Sequence, residues 1–393
     1  VLRRSTLLKK IDYTLVMAVG IVVLYSLVVI YSATKPVELL SADDIVGKSG
    51  DSFAFVKKQV LWILLGIVAM MAMISIRYED LARHVRFLYI FNLFVLAAVV
   101  FIGHSTLGAQ RWIALGPFRF QPSEFSKLIV IICFAVFLAA REGKLNSLRD
   151  LLPCFVFISV PMLLVLKQPD LGTSLVFIAI MFGMLFAAGA RPALLLGVIF
   201  SVVLLVGSWL WAHYWLEVNH GFNLWIPLQE YQFQRLIIFL NPWSDWYGSG
   251  YHIIQSQIAI GQGGFWGRGL FQGSQTHGNF LPIQETDFIF SVVGEELGFI
   301  GAFILLALYF IILYRGILIA AGAQDMLGNL LAGGIVSMLA FHVLVNVGMT
   351  IGIMPVTGIP LPLFSYGGSN MITNMAALGL LLNIGMRGKK ILF

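Results

Sequence analysis

Leu281-Pro282-Ile283-Gln284-Glu285-Thr286-Asp287-Phe288-Ile289-Phe290 joins a polar loop to an apolar helix, and the rest of the chain is read outward from it. The stretch sets a carboxylate, Asp287, at the mouth of a hydrophobic run. Upstream, residues 214–286 interrupt an otherwise almost continuous series of apolar segments. A connection of that length between helices is either functional or disordered. This one is dense in Gly, Trp, Tyr, Gln and Arg, too aromatic and too poor in charge for disorder. It reads as a site.

The chain has 393 residues, 59% hydrophobic and 11% charged, where a soluble domain is about a quarter charged. This excludes a soluble enzyme and predicts an all-α polytopic membrane protein. A spanning helix needs about twenty apolar residues. Ten runs qualify: 12–33, 59–76, 87–104, 124–140, 151–167, 171–189, 192–213, 287–313, 327–352 and 369–386. Together they read as one integral membrane domain over residues 1–393, with the large loop between the seventh and eighth runs. The first run lacks a small-residue cleavage site and is read as a retained helix. Cys133 and Cys154 fall inside apolar runs and are expected as buried thiols.

Charge sets the orientation. With the N-terminus in the cytoplasm, the inner segments hold Arg3, Arg4, Lys9, Lys10, Arg77, Arg83, Arg86, Arg141, Lys144, Arg149, Arg191, Arg315, Arg387, Lys389 and Lys390. The acids beside them are Asp12, Glu79, Asp80, Glu142, Asp150 and Asp325, which leaves +9 inside and −3 outside. Both termini are therefore expected in the cytoplasm and the loop of residues 214–286 outside. The net charge of +6 is explained by inner loops, with no nucleic-acid partner.

In this topology the fourth, sixth, eighth and tenth helices start at the outer face, where free N–H groups and the positive dipole end favour anions. Their starts are polar: Gln121-Pro122-Ser123-Glu124, Gln168-Pro169-Asp170, Glu285-Thr286-Asp287 and Ser365-Tyr366-Gly367-Gly368-Ser369. Helix capping by Ser123, Thr286 and Ser369 explains these residues as well as a binding surface does. Glu124 and Lys127 share a helix face; they either snorkel to water or line a polar cavity. Arg111 and Arg119 flank a turn with aromatic neighbours, suited to phosphate or to anchoring at the lipid headgroups. Of Glu295 and Glu296, at least one is expected to face the bundle interior.

Within the loop, His252 stands without the companions a zinc site needs. Gly261, Gly263 and Gly264 are not a nucleotide-binding loop, since no Gly-Lys-Ser/Thr follows. Ile253–Ile260 reads as an amphipathic segment in the outer interface. Near the C-terminus, the Pro- and Gly-rich span 352–369 cannot continue as helix. Broken backbone at membrane depth is tolerated only inside protein or beside a cavity, so it is expected beside Asp287.

Four segments together resemble the SEDS family (shape, elongation, division and sporulation). They are Arg111-Trp112-Ile113 with Phe120-Gln121-Pro122-Ser123-Glu124; Gln168-Pro169-Asp170-Leu171-Gly172-Thr173-Ser174; Gln255 to Gly269 with Thr286-Asp287-Phe288-Ile289-Phe290 and Gly294-Glu295-Glu296-Leu297-Gly298; and Pro355-Val356-Thr357-Gly358 to Ser365-Tyr366-Gly367-Gly368-Ser369. Gly250-Tyr251-His252-Ile253-Ile254-Gln255-Ser256 and Gly348-Met349-Thr350-Ile351-Gly352 are more similar to the elongation branch (RodA) than to the division branch (FtsW). Two positions depart from the family pattern: Glu285 replaces a usual His, and Arg268 a usual Lys. The first puts a proton-relay role at that position in doubt; the second keeps the charge.

The resemblance implies a peptidoglycan glycosyltransferase of the bacterial inner membrane. It would polymerise lipid II into glycan strands beside a class B penicillin-binding protein. It implies Asp287 as the catalytic carboxylate, with Glu124 and Lys127 in the cavity; Ser365 and Ser369, at the end of the broken span, are further substrate-binding candidates. An α-linked donor giving a β-linked product needs one inverting displacement, with a general base for the acceptor hydroxyl and positive charge for the leaving pyrophosphate. Asp287 fits the base. Arg111, Lys127, Arg235 and Arg268 are candidates for the pyrophosphate, and a divalent cation, Mg²⁺ or Mn²⁺, is a further expectation. The rival reading is a lipid II flippase or other transporter, which shares the cavity and the intramembrane charges; it should place its key charges near the midplane.

Overall fold

The computed structural model describes residues 10–35, 52–102, 104–106, 109–115, 118–222, 225, 230–246, 248–278, 280–281 and 283–388. The basic residues Arg3, Arg4, Lys9, Lys389 and Lys390 lie outside these. The helices are α1 (Tyr13–Ala33), α2 (Ser52–Ser75), α3 (Tyr78–Arg83), α4 (Val85–Ile102), α5 (Pro122–Ala139), α6 (Leu148–Lys167), α7 (Leu171–Ala187) and α8 (Pro192–His220), then α9 (Glu230–Leu240), α10 (Ser249–Gly263), α11 (Ser274–His277), α12 (Ile289–Ala321), α13 (Met326–Thr350) and α14 (Gly368–Arg387).

Each of the ten expected runs falls on a helix, α1, α2, α4 to α8, and α12 to α14, with α12 broken at Gly298 by non-helical backbone (φ 62°, ψ -159°). Among the described residues, 7 helices are long and apolar enough to cross a membrane, and α4 and α7 are shorter apolar helices. The chain is a polytopic membrane protein. Local signals set several starts. Pro122 occupies the first turn of α5, where its missing N–H is harmless. Ser147 and Asp150 form a capping box on α6. Asp12 caps α1 through Leu15 N at 3.1 Å and pairs with Arg315 on α12 at 2.6 Å.

The helical reading omits one element. Between α4 and α5 the chain forms a small antiparallel ribbon, β1 (His104–Thr106), β2 (Ala109–Leu115) and β3 (Phe118–Phe120). Ile113 pairs with Phe120, and Leu115 with Phe118. These strands are too short for their alternation to stand out from neighbouring apolar runs. β2 carries Arg111.

The interval 214–286 is mostly helical. α8 continues to His220, and α9, a 3₁₀ turn at Pro242–Asp245, α10 and α11 follow. The expectation for Ile253–Ile260 is corrected here. α10 docks on α12, burying Ile253, Ile254, Ser256 and Ala259. Ser256 Oγ lies 2.6 Å from Ser291 Oγ and donates to the Thr350 carbonyl at 2.7 Å. Small residues on both helices permit this approach: a Cβ on Gly263 would run into the Gly294 carbonyl. The apolar periodicity was covered by protein, not lipid.

α13 lies against α5, α7 and α12, and Met338, Leu339 and Val345 on it are buried. α8 is peripheral, with most of its surface turned outward. Cys133 and Cys154 are free and buried, as expected.

Candidate active site

The polar starts of α5, α7, α12 and α14 meet at one end of the bundle. Gln121, which precedes α5, is their junction. Its side chain donates to Asp170 Oδ2 at 3.3 Å, ahead of α7, and its backbone N–H donates to Ser369 Oγ at 3.0 Å, on α14. The turn before α14 then reaches α12: Tyr366 N donates to the Glu285 carbonyl at 2.9 Å, and Ser365 Oγ donates to the Thr286 carbonyl at 2.6 Å.

Capping explains less of this than the sequence suggested. Asp170 does cap α7, accepting from Thr173 N at 3.1 Å. Ser123, Thr286 and Ser369 do not cap their helices; the caps of α5, α12 and α14 are Gln121, Phe288 and Gly367, without side-chain bonds. Ser369 accepts from Gln121 instead, and Ser123 Oγ accepts from the Gln121 amide at 3.1 Å. Only Ser369 is taken by a residue distant in sequence; Ser123 and Thr286 bond residues two and three positions upstream.

Asp287 stands just before α12, half-buried. Asn346 on α13 donates to its backbone carbonyl at 2.9 Å and to the Ile359 carbonyl at 2.8 Å. Gly358 passes beside the carboxylate with φ +73°, and a Cβ there would sit 3.3 Å from Asp287 Oδ2. The broken span 352–369 is thus the wall of Asp287, as its prolines and glycines required. Burial raises the Asp287 carboxyl to about 6. The Thr286 hydrogen bond and the charges of Arg235 and Arg111 pull it down, and Glu285 adds to the rise.

Two expected cations act electrostatically on this carboxylate. Arg111 is held by the turn before α7: Nε donates to the Gln168 carbonyl at 3.3 Å, Nη2 to the Pro169 carbonyl, and Nη1 lies 3.8 Å from Asp170 Oδ1. Arg235 on α9 donates to the Val356 carbonyl at 3.3 Å. His252 stacks on Phe288 with ring centroids 6.1 Å apart, its pKa lowered by burial and by Arg235.

Glu124 and Lys127 form a buried ion pair at 2.9 Å, which decides against snorkelling. Lys127 Nζ also lies 3.0 Å from His342 Nε2. Sequence reasoning missed His342 as a partner; an imidazole in the middle of an apolar run was the available signal.

Arg268 joins a different cluster. It is exposed and donates to Ser274 Oγ at 2.9 Å, while its backbone N–H donates to the Glu295 carbonyl. Glu295 and Glu296 are both buried. Glu295 accepts from Gln275 N at 2.6 Å, Thr276 N at 2.9 Å and Thr276 Oγ1 at 2.7 Å. Glu296 accepts from Ser32 Oγ at 2.7 Å and lies 3.2 Å from His277 Nε2, a bond that raises the His277 pKa. Ser365 and Ser369 are buried within the walls, each engaged by protein groups.

The Asp287 carboxylate, the two guanidinium groups that act on it electrostatically and the buried Lys–Glu pair thus belong to a polytopic membrane bundle. The chain belongs to the FtsW/RodA/SpoVE family, whose model, described as "Cell cycle protein", matches residues 12–390. It is 40% identical over 374 residues to the peptidoglycan glycosyltransferase MrdB of Escherichia coli K12, covering 95% of this chain and 93% of that one. It is 38% identical over 376 residues to stage V sporulation protein E of Bacillus subtilis 168, covering 95% and 96%. A solved chain from work on the structural coordination of polymerization and crosslinking by a peptidoglycan synthase complex superposes with TM-score 0.76 at 30% identity, covering 95% of this chain and 97% of that one.

Proposed function

We infer that the protein is a peptidoglycan glycosyltransferase that polymerises lipid II, with Asp287 as general base. The observation that carries this is a recessed carboxylate with its pKa raised to about 6 beside Arg111 and Arg235. A base is most effective with a pKa near the working pH. In the reaction, Asp287 takes the proton of the acceptor 4-hydroxyl. That oxygen bonds to the donor anomeric carbon from the face opposite the leaving group, and the carbon–oxygen bond to the lipid pyrophosphate breaks. The electron pair leaves with the pyrophosphate, whose negative charge Arg111 and Arg235 would balance. Lys127, paired with Glu124 at 2.9 Å, adds no net charge but is a further donor at the same end of the bundle.

The charge pattern supports a bacterial inner-membrane location with both termini cytoplasmic and α9 to α11 outside. Both substrates then enter from the outer leaflet. The likeness to a chain of a synthase complex supports a class B penicillin-binding protein as the partner supplying crosslinking. Among the described residues no group of three or more His, Cys, Asp and Glu could hold a metal ion. A Mg²⁺ or Mn²⁺ ion would arrive on the substrate pyrophosphate, since Mg²⁺ is often held by phosphates and one or two carboxylates.

A flippase is not favoured. The charged groups cluster at helix starts, with Glu124 in the first turn of α5 and Asp287 ahead of α12, not at mid-helix. The test is purified protein in detergent with lipid II, with and without a class B partner, reading glycan strands on a gel. Wild type should make strands. Asp287→Asn should fold normally and lose about a hundredfold or more in rate. Lipid II movement across proteoliposomes without polymer formation in detergent would overturn the enzyme reading.

A further inference from the structure

His342 and Asn346 lie four residues apart on one face of α13. Each reaches two separate parts of the site. Lys127 can only donate, so His342 Nε2, 3.0 Å from Lys127 Nζ, must be the acceptor. The ring proton then sits on Nδ1, which lies 3.3 Å from the Pro360 carbonyl and donates to it. The neighbours thereby fix both the neutral state and the tautomer. Asn346 spends both hydrogens of its amide on carbonyls, those of Asp287 and Ile359. Ile359 and Pro360 are consecutive, and the chain just before them, at Gly358, passes the Asp287 carboxylate.

One helix face therefore ties three things together. Through His342 it holds Lys127, which holds Glu124 at 2.9 Å. Through Ile359 and Pro360 it holds the wall of Asp287. Through Asn346 it holds Asp287 itself. His342 and Asn346 are almost completely buried, which keeps water from competing for these bonds. Packing alone does not require such groups here, because a Leu or Met of similar volume would fill the same space without polar partners to satisfy.

Given the polymerase reading, we propose that His342 and Asn346 are positioning residues for glycosyl transfer: they set the Glu124–Lys127 pair in register with Asp287. Neither is a catalytic residue. His342 acts through Lys127, and Asn346 through the Asp287 backbone. Misplacement of a reacting group by about 1 Å can reduce a rate a hundredfold, so loss of this strut should appear in turnover more than in substrate affinity.

The experiment compares His342→Met, His342→Gln and Asn346→Ala with wild type in the lipid II polymerisation assay. Initial rates are taken over a range of lipid II concentrations, with a thermal midpoint for each purified protein. Met and Gln match in size, but only Gln can accept from Lys127 and donate to Pro360. His342→Met should lose about tenfold to a hundredfold in kcat, with KM within about twofold and a thermal midpoint near that of His342→Gln. His342→Gln should recover most of the lost rate. Asn346→Ala should also fall in kcat with KM little changed. Equal kcat for Met and Gln would overturn the role of His342, as would a loss that tracks only the folded fraction. Wild-type turnover in folded Asn346→Ala would overturn that of Asn346. Those outcomes leave the polymerase reading standing, because wild type still makes strands. Absence of strands from wild type would overturn both.

Discussion

Ser365 Oγ donates to the carbonyl of Thr286 at 2.6 Å, across 79 positions of sequence. The same oxygen accepts from Leu361 N at 2.8 Å. One buried hydroxyl thus closes the turn 361–365 on itself and fastens it to the peptide that leads into Asp287. The broken span needs such a clamp because it lacks a helical hydrogen-bond ladder at membrane depth.

Ser365→Ala should therefore leave the Leu361 N–H and lose a bond to the Thr286 carbonyl. A buried donor left unpaired costs about 1–3 kcal/mol. The thermal midpoint in detergent should drop by several degrees, and polymerisation should weaken with it. An unchanged midpoint would show that water or a neighbour takes over the hydroxyl's bonds.

The acid limb of the pH–rate profile should reflect Asp287, whose carboxyl sits at about 6. The base is the ionised form, so activity is lost as pH falls through that value. At pH 5 the rate should be about a tenth of the plateau, since one pH unit below a pKa leaves about one carboxyl in ten ionised. Arg235 and Arg111 hold the value down, so Arg235→Gln should move the limb to higher pH. A limb that stays in place in Arg235→Gln argues that Asp287 does not set it.

Glu124 and Lys127 should be strongly coupled. Each single truncation leaves a buried charge without its partner, a loss of about 3–5 kcal/mol, whereas removing both removes that penalty. The double variant should accordingly be less destabilised than the sum of the singles. Strict additivity of the thermal shifts would argue against a direct pair.

Chelation should lower the polymerisation rate, and added Mg²⁺ or Mn²⁺ should restore it. An ion held mainly by the substrate pyrophosphate should be needed only with substrate. Full activity in excess EDTA would mean that Arg111 and Arg235 suffice for the pyrophosphate.

The helices were legible because a bilayer demands a length of apolar sequence that little else produces. The Glu124–Lys127 pair was legible because three residues of helix put two side chains on one face. His342 was not, since it meets Lys127 across a separation of 215 positions that no local pattern encodes. Ser123, Thr286 and Ser369 carry the right chemistry for caps, and only the fold decides that other partners claim them. For α10 the pattern identified a face to be buried without saying what would cover it; small residues on α12 settle that. Arg268 matched the charge expected of a phosphate ligand, but the turn after α10 carries it to Glu295.

Glu295 links mechanics to chemistry. It belongs to α12, the helix that Asp287 introduces, yet its carboxylate holds the backbone of Gln275 and Thr276 in the preceding loop. Arg268 N and Gly269 N add bonds from that loop to the Glu295 and Glu296 carbonyls. Loop and helix are therefore one cooperative unit, and local opening of the first must strain the second. A molecule that grips residues 268–277 therefore also holds the first turns of the helix that Asp287 introduces.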